Sequence, residues 1–150
     1  FRDALALVMK HQPDGWNPDD PPAAPTSFPS DLHFMVQEKL GHLYRGEGVR
    51  VLKLWNAAGS HLDRLHGTDL LFSFEPQGSV ANVPSVIATV DVTQNIDKAT
   101  HGGKADVVIY FPDGYENIPR TQRDQIVERA ADEIAERIVE QAGSRQRAVA

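Results

Sequence analysis

Hydrophobic residues recur at helical spacing in the first half of the chain and predict two helices there. The first ten residues, Phe1–Lys10, fit one short helix. A longer apolar stripe comprises Leu32, Met35, Val36, Leu40, Leu43 and Tyr44. It predicts a second helix that begins with Ser30 or Asp31 as its N-cap and ends at the glycines of Gly46-Glu47-Gly48.

A third stripe near the C-terminus predicts a long helix. Its members are Ile126, Val127, Ala130, Ala131, Ile134, Ile138 and Val139. This helix is expected from about Thr121 to Ala142, with Gly143 ending it, and charged pairs such as Glu133 and Arg137 cover its polar side.

Four β-rich runs lie between the second and the third helix. They are Val49–Trp55, Thr68–Glu75, Ser85–Thr93 and Ala105–Phe111. The first two are expected to pair as an antiparallel hairpin with a long connection, and the last, as the most apolar run, is expected in the centre of the sheet. This order of elements predicts an α/β domain with a mixed four-stranded sheet flanked by helices.

The segment between the first two helices is rich in proline. Residues 11–30 hold six of the ten prolines in the chain, which neither continue a helix nor donate to a strand ladder. We therefore divide the chain into an N-terminal helix and Pro-rich arm, residues 1–30, and a single α/β domain, residues 31–150. The arm is interpreted as a surface wrap, docked by Trp16 and Phe28, or as a motif that recruits a protein partner.

Composition limits the chemistry that the chain can perform. Its 150 residues, 41% of them hydrophobic, suffice for one domain with a core. The absence of cysteine excludes disulfides, thiol catalysis and thiolate zinc sites, and leaves Asp, Glu and His as the main metal ligands. No apolar run approaches the roughly 20 residues of a membrane helix, and a cytoplasmic location is expected. The start at Phe1 rather than Met is compatible with a fragment that lacks a first helix or a whole preceding domain, and the sequence does not decide this.

The formal net charge of −6 argues against broad, nonspecific binding to phosphate backbones. A local basic face remains compatible with this charge. Scattered cations, namely Arg45, Arg50, Arg64 and Lys98, are candidates for substrate contacts, without a preference for DNA or RNA.

Two aspartates interrupt the apolar strands. Asp69 stands at the start of the second strand and Asp91 lies within the third. A carboxylate costs several kcal/mol to desolvate unless it is paired or binds a metal. If the two strands pair, their register can bring both acids together, and a hard cation such as Mg²⁺ would relieve their repulsion.

These elements and acids resemble the PD-(D/E)XK nuclease superfamily, whose restriction-endonuclease-like fold has an αβββαβ core. The resemblance covers roughly residues 31–111 and rests on Glu38-Lys39-Leu40, Gly67-Thr68-Asp69 and Val90-Asp91-Val92-Thr93. It implies that Asp69 and Asp91 bind Mg²⁺ or Mn²⁺, with Glu38 as a third acidic ligand. Helical periodicity alone places Glu38 outside the apolar stripe, as a solvated surface carboxylate.

The chain departs from the family pattern at the lysine that should follow the second acid by two residues. Thr93 occupies that position, and a hydroxyl cannot supply the positive charge of the lysine. The candidates for a displaced lysine are Lys98 first, Lys104 second and Lys53 third, while Thr93 and Gln94 are candidates for positioning the attacking water. The connection at residues 95–104 has room for only a turn or two of helix where the family has a helix.

The sequence thus predicts a metal-dependent endonuclease that hydrolyses phosphodiester bonds in nucleic acid. One alternative is a catalytically inactive domain of the same fold that binds nucleic acid or a protein. Another is an assembly protein that acts through its Pro-rich arm and C-terminal helix, as a homodimer or with a different partner, in which both aspartates pair with arginines.

Overall fold

A computed structural model describes residues 1–24, 26–46, 49–77, 85–101 and 103–149 of the chain. Within these residues, the predicted helices and strands are present in the predicted order. The helices are α1 (Arg2–Lys10), α2 (Phe28–Leu43), α3 (His61–His66), α4 (Ile96–His101) and α5 (Arg120–Val149). The strands are β1 (Arg50–Asn56), β2 (Leu70–Pro76), β3 (Val86–Thr93) and β4 (Val107–Tyr110).

The four strands form one mixed sheet in the order β1-β2-β3-β4. The pairs β1–β2 and β2–β3 are antiparallel, so the predicted hairpin is confirmed. β4 runs parallel to β3, and α4 lies in the crossover that this arrangement requires. The connection predicted near residues 76–84 lies mostly outside the described residues.

Side chains alternate between two layers along each strand. One face of the sheet, with Leu54, Phe72 and Val90, packs against α2 and α5 and forms the main core. The opposite face of the sheet packs against α1 and α3, and a smaller hydrophobic cluster lies between them. This cluster contains Val8, Ala57, Leu62 and Leu71. Helices therefore flank both faces of the sheet, as the α/β prediction required.

The starting point of α2 differs from the predicted one. The helix begins at Phe28 after the N-cap residue Ser27, and Pro29 lies in its first turn. Proline is favoured there because its missing N–H has no acceptor in the first turn of a helix. The burial of Phe28 in the main core also extends the helix toward its N-terminus. The prediction of Ser30 or Asp31 as the N-cap was wrong.

The end of α5 also differs from the predicted one. The helix continues through Gly143 to Val149, so Gly143 does not end it. A glycine inside a helix costs about 1 kcal/mol relative to alanine, which does not stop a helix of this length. Ala131, Ile134 and Ile138 are fully buried in the core that α5 shares with α2, and this packing stabilises the helix.

Two predictions about connections were also incomplete or wrong. The long connection predicted between the first two strands contains α3, and β4 lies at an edge of the sheet rather than in its centre. Of the β4 residues, Val107 and Ile109 are buried whereas Tyr110 is exposed. High apolar content therefore identified a strand but not its position in the sheet.

The Pro-rich arm lies along the free edge of β1. Trp16 Nε1 donates to the backbone oxygen of Leu54 at 2.8 Å, and the Leu54 N–H donates to the oxygen of Pro18 at 2.9 Å. Gln12 makes two further hydrogen bonds to the backbone of Asn56. These bonds cover backbone groups that an open sheet edge would leave unpaired. This geometry favours the surface-wrap interpretation of the arm.

None of the described helices is both long enough and apolar enough to cross a membrane.

Substitutions in α3 test whether this short helix is docked on the sheet. Leu62 is 0% exposed and Leu65 is 61% exposed in the same helix. We expect Leu62→Ala to lower the free energy of unfolding by about 2–5 kcal/mol, since it leaves a cavity in the smaller cluster. Leu65→Ala, the matched control, should change it by about 0.5 kcal/mol or less. Urea denaturation measures both, and equal effects would show that α3 is not packed as described.

Candidate functional site

The paired ends of β2 and β3 bring Asp69 to Asp91. Leu70, the first residue of β2, pairs with Val90 of β3, so the residues on either side of this pair are neighbours. The Asp69 N–H donates to the oxygen of Val90 at 2.9 Å, and the Val92 N–H donates to Asp69 Oδ2 at 2.8 Å. Asp69 is thus fixed through both its backbone and its side chain.

The two carboxyl groups interact directly. Burial raises the pKa of Asp69 to about 6, the hydrogen bond from the Val92 N–H opposes that shift, and a hydrogen bond to the Asp91 carboxylate adds to it. Two carboxyl groups hydrogen-bond each other only when one of them carries a proton. Asp91 is 5% exposed, so solvent screens little of the repulsion between the two groups. Asp69 therefore keeps its proton to a higher pH than an ordinary aspartate does.

Lys98 supplies the nearest positive charge. Its Nζ lies 2.5 Å from Asp91 Oδ2, and the carboxylate raises the pKa of the lysine. Asp91 Oδ2 is buried and has no directed hydrogen bond among the described residues. We therefore treat the contact as an ion pair. Because the Lys98 side chain is 42% exposed, it links the buried carboxylate to the protein surface.

Two glycines border the Asp91 carboxylate. Gly67 ends α3 in the left-handed region, with φ of 62°, and a Cβ atom there would lie 3.9 Å from Asp91 Oδ2. A Cβ atom at Gly103 would lie 3.7 Å from the same oxygen and 3.4 Å from Lys98 Cε. Two chain segments without side chains thus approach the carboxylate from different directions. The Asp91 carboxylate is therefore packed between these two segments and the Lys98 side chain.

The structure brings together three of the residues predicted for the site: Asp69, Asp91 and Lys98. It does not bring Glu38 to them, because Glu38 is exposed on α2 and lines a groove beside Arg50 and Leu52. Leu52 belongs to the sheet face that packs on α2. By the alternation of side chains along β1, that face is opposite the one to which α1 and α3 pack.

The remaining predicted residues have other partners. Lys53 pairs with Glu75 at 3.3 Å, and Lys104 Nζ donates to the backbone oxygen of Leu65 at 3.4 Å. The Thr93 hydroxyl accepts a hydrogen bond from the Asn95 N–H at 3.0 Å, next to the start of α4. This hydrogen bond shapes the turn into α4. Of the three candidate lysines, Lys98 is the one found at the aspartates.

Sequence reasoning missed Asp63, whose charge contributes to the raised pKa values of both Asp69 and Lys98. The Asp63 carboxylate accepts a hydrogen bond from the Gly59 N–H at 2.7 Å, and its own N–H donates to Ser60 Oγ. Ser60 followed by an acid three residues later is the pattern of a helix N-terminus. This signal could have identified α3 and placed Asp63 near Asp69.

The donor set of the site fits a hard divalent cation. Asp69 and Asp91 offer carboxylate oxygens, which Mg²⁺ and Mn²⁺ favour. The described part of the chain contains no group of three or more His, Asp or Glu side chains placed to hold a metal. Mg²⁺ is commonly bound by one or two carboxylates while water and substrate oxygens complete its coordination. Two aspartates are therefore a sufficient protein contribution to such a site.

Comparisons of the chain with models of known protein families, with curated proteins and with solved structures found no match. Its function is therefore inferred from the arrangement of Asp69, Asp91 and Lys98.

The raised pKa of Asp69 predicts a pH dependence of stability. Its pKa is about 6 in the folded chain, against an ordinary value of 3.8. The folded state therefore holds this proton more tightly than the unfolded state, and stability falls as the pH rises from about 4 to about 6. Asp69→Asn removes this titration. We expect the stability of the wild-type chain relative to Asp69→Asn to fall by on the order of 1 kcal/mol over that range, a figure reduced for partial solvent contact.

Urea denaturation at a series of pH values measures this difference. Asp113→Asn, which neutralises an exposed aspartate in a turn, is the matched control and should follow the wild-type curve. Parallel curves for the wild type and Asp69→Asn would contradict the raised pKa of Asp69.

Proposed function

We propose that this chain is a divalent-metal-dependent nuclease with a restriction-endonuclease-like fold. The observation that carries the proposal is the convergence of Asp69, Asp91 and Lys98 at the paired ends of β2 and β3. Apart from the short α3 between β1 and β2, the elements follow the order α2, β1, β2, β3, α4, β4, and this order supports the proposed αβββαβ core. The short α4 also provides the helix for which the connection offered little room.

Asp69 and Asp91 are the proposed ligands of Mg²⁺ or Mn²⁺. Such a cation would lower the pKa of a bound water and offset the charge of the scissile phosphate. On the protein side, Asp69 has to release its proton before its carboxylate can act as a ligand. The raised pKa of Asp69 places this release near pH 6, so Asp69 is ionised at neutral pH. Glu38 is not included among the proposed ligands.

Lys98 is proposed as the displaced lysine of the motif. Since the Asp91 carboxylate raises its pKa, Lys98 stays protonated at neutral pH and is a poor general base. Its proposed role is electrostatic: the ammonium stabilises the negative charge that develops on the phosphate during attack by water. Its partly exposed side chain allows it to contact Asp91 and a substrate phosphate together.

Cleavage assays test the proposal. With Mg²⁺ or Mn²⁺, the wild-type chain should cleave plasmid DNA, single-stranded DNA or RNA, and chelation should stop it. We expect Asp69→Asn and Asp91→Asn to reduce the rate by at least about 100-fold, and Lys98→Met by about 10² to 10³-fold, as for loss of one stabilising charge. Lys53→Met is the matched lysine control and should keep the wild-type rate, since Lys53 pairs with Glu75.

Two results would contradict this proposal. Cleavage that persists in both aspartate variants would identify a contaminating nuclease, and absence of metal-dependent cleavage on all three substrates would remove the enzymatic function. An equal loss in Lys98→Met and Lys53→Met would remove the assigned role of Lys98.

Metal binding can be measured separately from cleavage. A ligand that binds the folded state at ten times its Kd stabilises that state by about 1.4 kcal/mol. For a chain of this size we expect Mn²⁺ to raise the Tm by roughly 3–6 °C. Asp69→Asn and Asp91→Asn should lose this shift, whereas Asp113→Asn should retain it. A shift of the same size in all four proteins would place the metal elsewhere.

A second candidate function is a catalytically inactive domain of the same fold. The Lys98–Asp91 ion pair favours it, because the lysine already offsets the charge that a cation would neutralise. The Tm measurement separates the two functions. Loss of the Mn²⁺ shift with loss of cleavage in the aspartate variants supports the nuclease, while a wild-type chain that neither shifts nor cleaves supports the inactive domain.

A further inference from the structure

A groove of about 710 Å³ opens beside the aspartates on the face of the sheet covered by α1 and α3. Several of its lining residues are chain neighbours of the site. His66 precedes Gly67 and Lys104 follows Gly103, the two glycines that border Asp91. Thr68 precedes Asp69, and Thr89 shares a strand face with Asp91. The groove lining therefore ends one or two residues along the chain from Asp69 and Asp91, and does not include these two side chains.

The charge of this groove is opposite to that of the chain as a whole. Arg2 and Lys104 line it, whereas the formal net charge of the chain is −6. Its acidic lining residue, Asp106, is already engaged. Asp106 Oδ2 accepts from the backbone N–H and the hydroxyl of Thr89 at 2.9 and 3.1 Å, and Asp106 Oδ1 lies 3.5 Å from Arg137. The groove therefore presents positive charge to a ligand.

An exposed aromatic side chain stands at the groove. Phe1 is 58% exposed, and the edge-to-face contact between its ring and that of His66 has a centroid distance of 5.3 Å. Leu5 and Ile87 extend this apolar surface into the groove. Aromatic faces next to cationic side chains are the combination that binds unpaired bases and their phosphates. In a duplex the base faces are stacked inside the helix and cannot use such a surface.

We infer that this groove binds single-stranded nucleic acid and leads it to Asp69 and Asp91. The inference rests on the proposed nuclease function and specifies the class of its substrate. Arg2 and Lys104 contact backbone phosphates, and a base stacks on Phe1. Lys104 is thereby assigned to substrate binding, while Lys98 retains the role at the scissile phosphate.

Fluorescence anisotropy with labelled oligonucleotides tests this inference in the presence of EDTA, so that cleavage does not interfere. The probes are oligothymidylate and oligouridylate of about 12 nucleotides, within the site sizes of single-strand grooves, and a duplex of equal length. We expect both single strands to bind at least tenfold more tightly than the duplex. A difference between the two would show whether DNA or RNA is preferred.

Two variants on this surface have matched controls on α1. Phe1→Ala should weaken single-strand binding by about fivefold or more, and Leu7→Ala, also at an exposed apolar residue, should not. Lys104→Met should weaken binding and lower the slope of log K against log salt by about 0.7, the value for one phosphate contact with a single strand. Lys10→Met, at an exposed lysine outside the groove, should leave that slope unchanged.

Duplex binding as tight as single-strand binding would overturn the inference, as would Phe1→Ala and Lys104→Met variants that behave like their controls. These failures differ from failure of the nuclease proposal. Cleavage that persists at the wild-type rate and KM in both groove variants removes the groove inference alone. Single-strand binding that depends on Phe1 and Lys104 without metal-dependent cleavage removes the nuclease proposal alone.

Discussion

The approach of Asp69 to Asp91 is the interaction on which the rest of the site depends. Two ionised carboxylates in a partly buried position repel each other, and the chain offsets this repulsion in three ways. Below about pH 6 a proton on Asp69 removes one charge, the Val92 N–H stabilises the ionised Asp69, and Lys98 offsets Asp91. At neutral pH the Val92 N–H and Lys98 remain to offset the charge of the pair.

The fold around this pair explains how Lys98 reaches it. A lysine two residues after Asp91 would share its strand face, about 7 Å further along the strand. In this chain that position belongs to Thr93, whose hydroxyl shapes the turn into α4. Because the crossover from β3 to β4 is short, α4 starts beside the end of β3 and its first turn carries Lys98 back to Asp91. The positive charge that pairs with Asp91 therefore comes from α4 and not from β3.

Much of the fold could be predicted from the sequence because its determinants are local. Apolar stripes identified α2 and α5, and alternating or β-rich runs identified all four strands, which gave the mixed sheet. The predictions that were wrong are those in which tertiary packing outweighed the local sequence pattern. Burial of Phe28 moved the start of α2, packing carried α5 through Gly143, and the position of β4 at the sheet edge depends on which strands pair, which apolar content does not encode.

For the site, the sequence identified Asp69 and Asp91 because a carboxylate in an apolar strand demands a partner. Sequence reasoning ranked Lys98 first among three lysines. Only the folded structure shows that Lys98 contacts Asp91 and that Lys53 contacts Glu75. Glu38 shows the limit of transferring a motif without geometry, because its helix packs on the opposite face of the sheet. The groove with Phe1 and Lys104 was beyond sequence reasoning, since it joins residues about a hundred positions apart that share no pattern. A polar residue inside an apolar strand can be recognised from the sequence, because its neighbours in the chain are apolar. Residues that meet only across the protein surface can be recognised only in the folded structure.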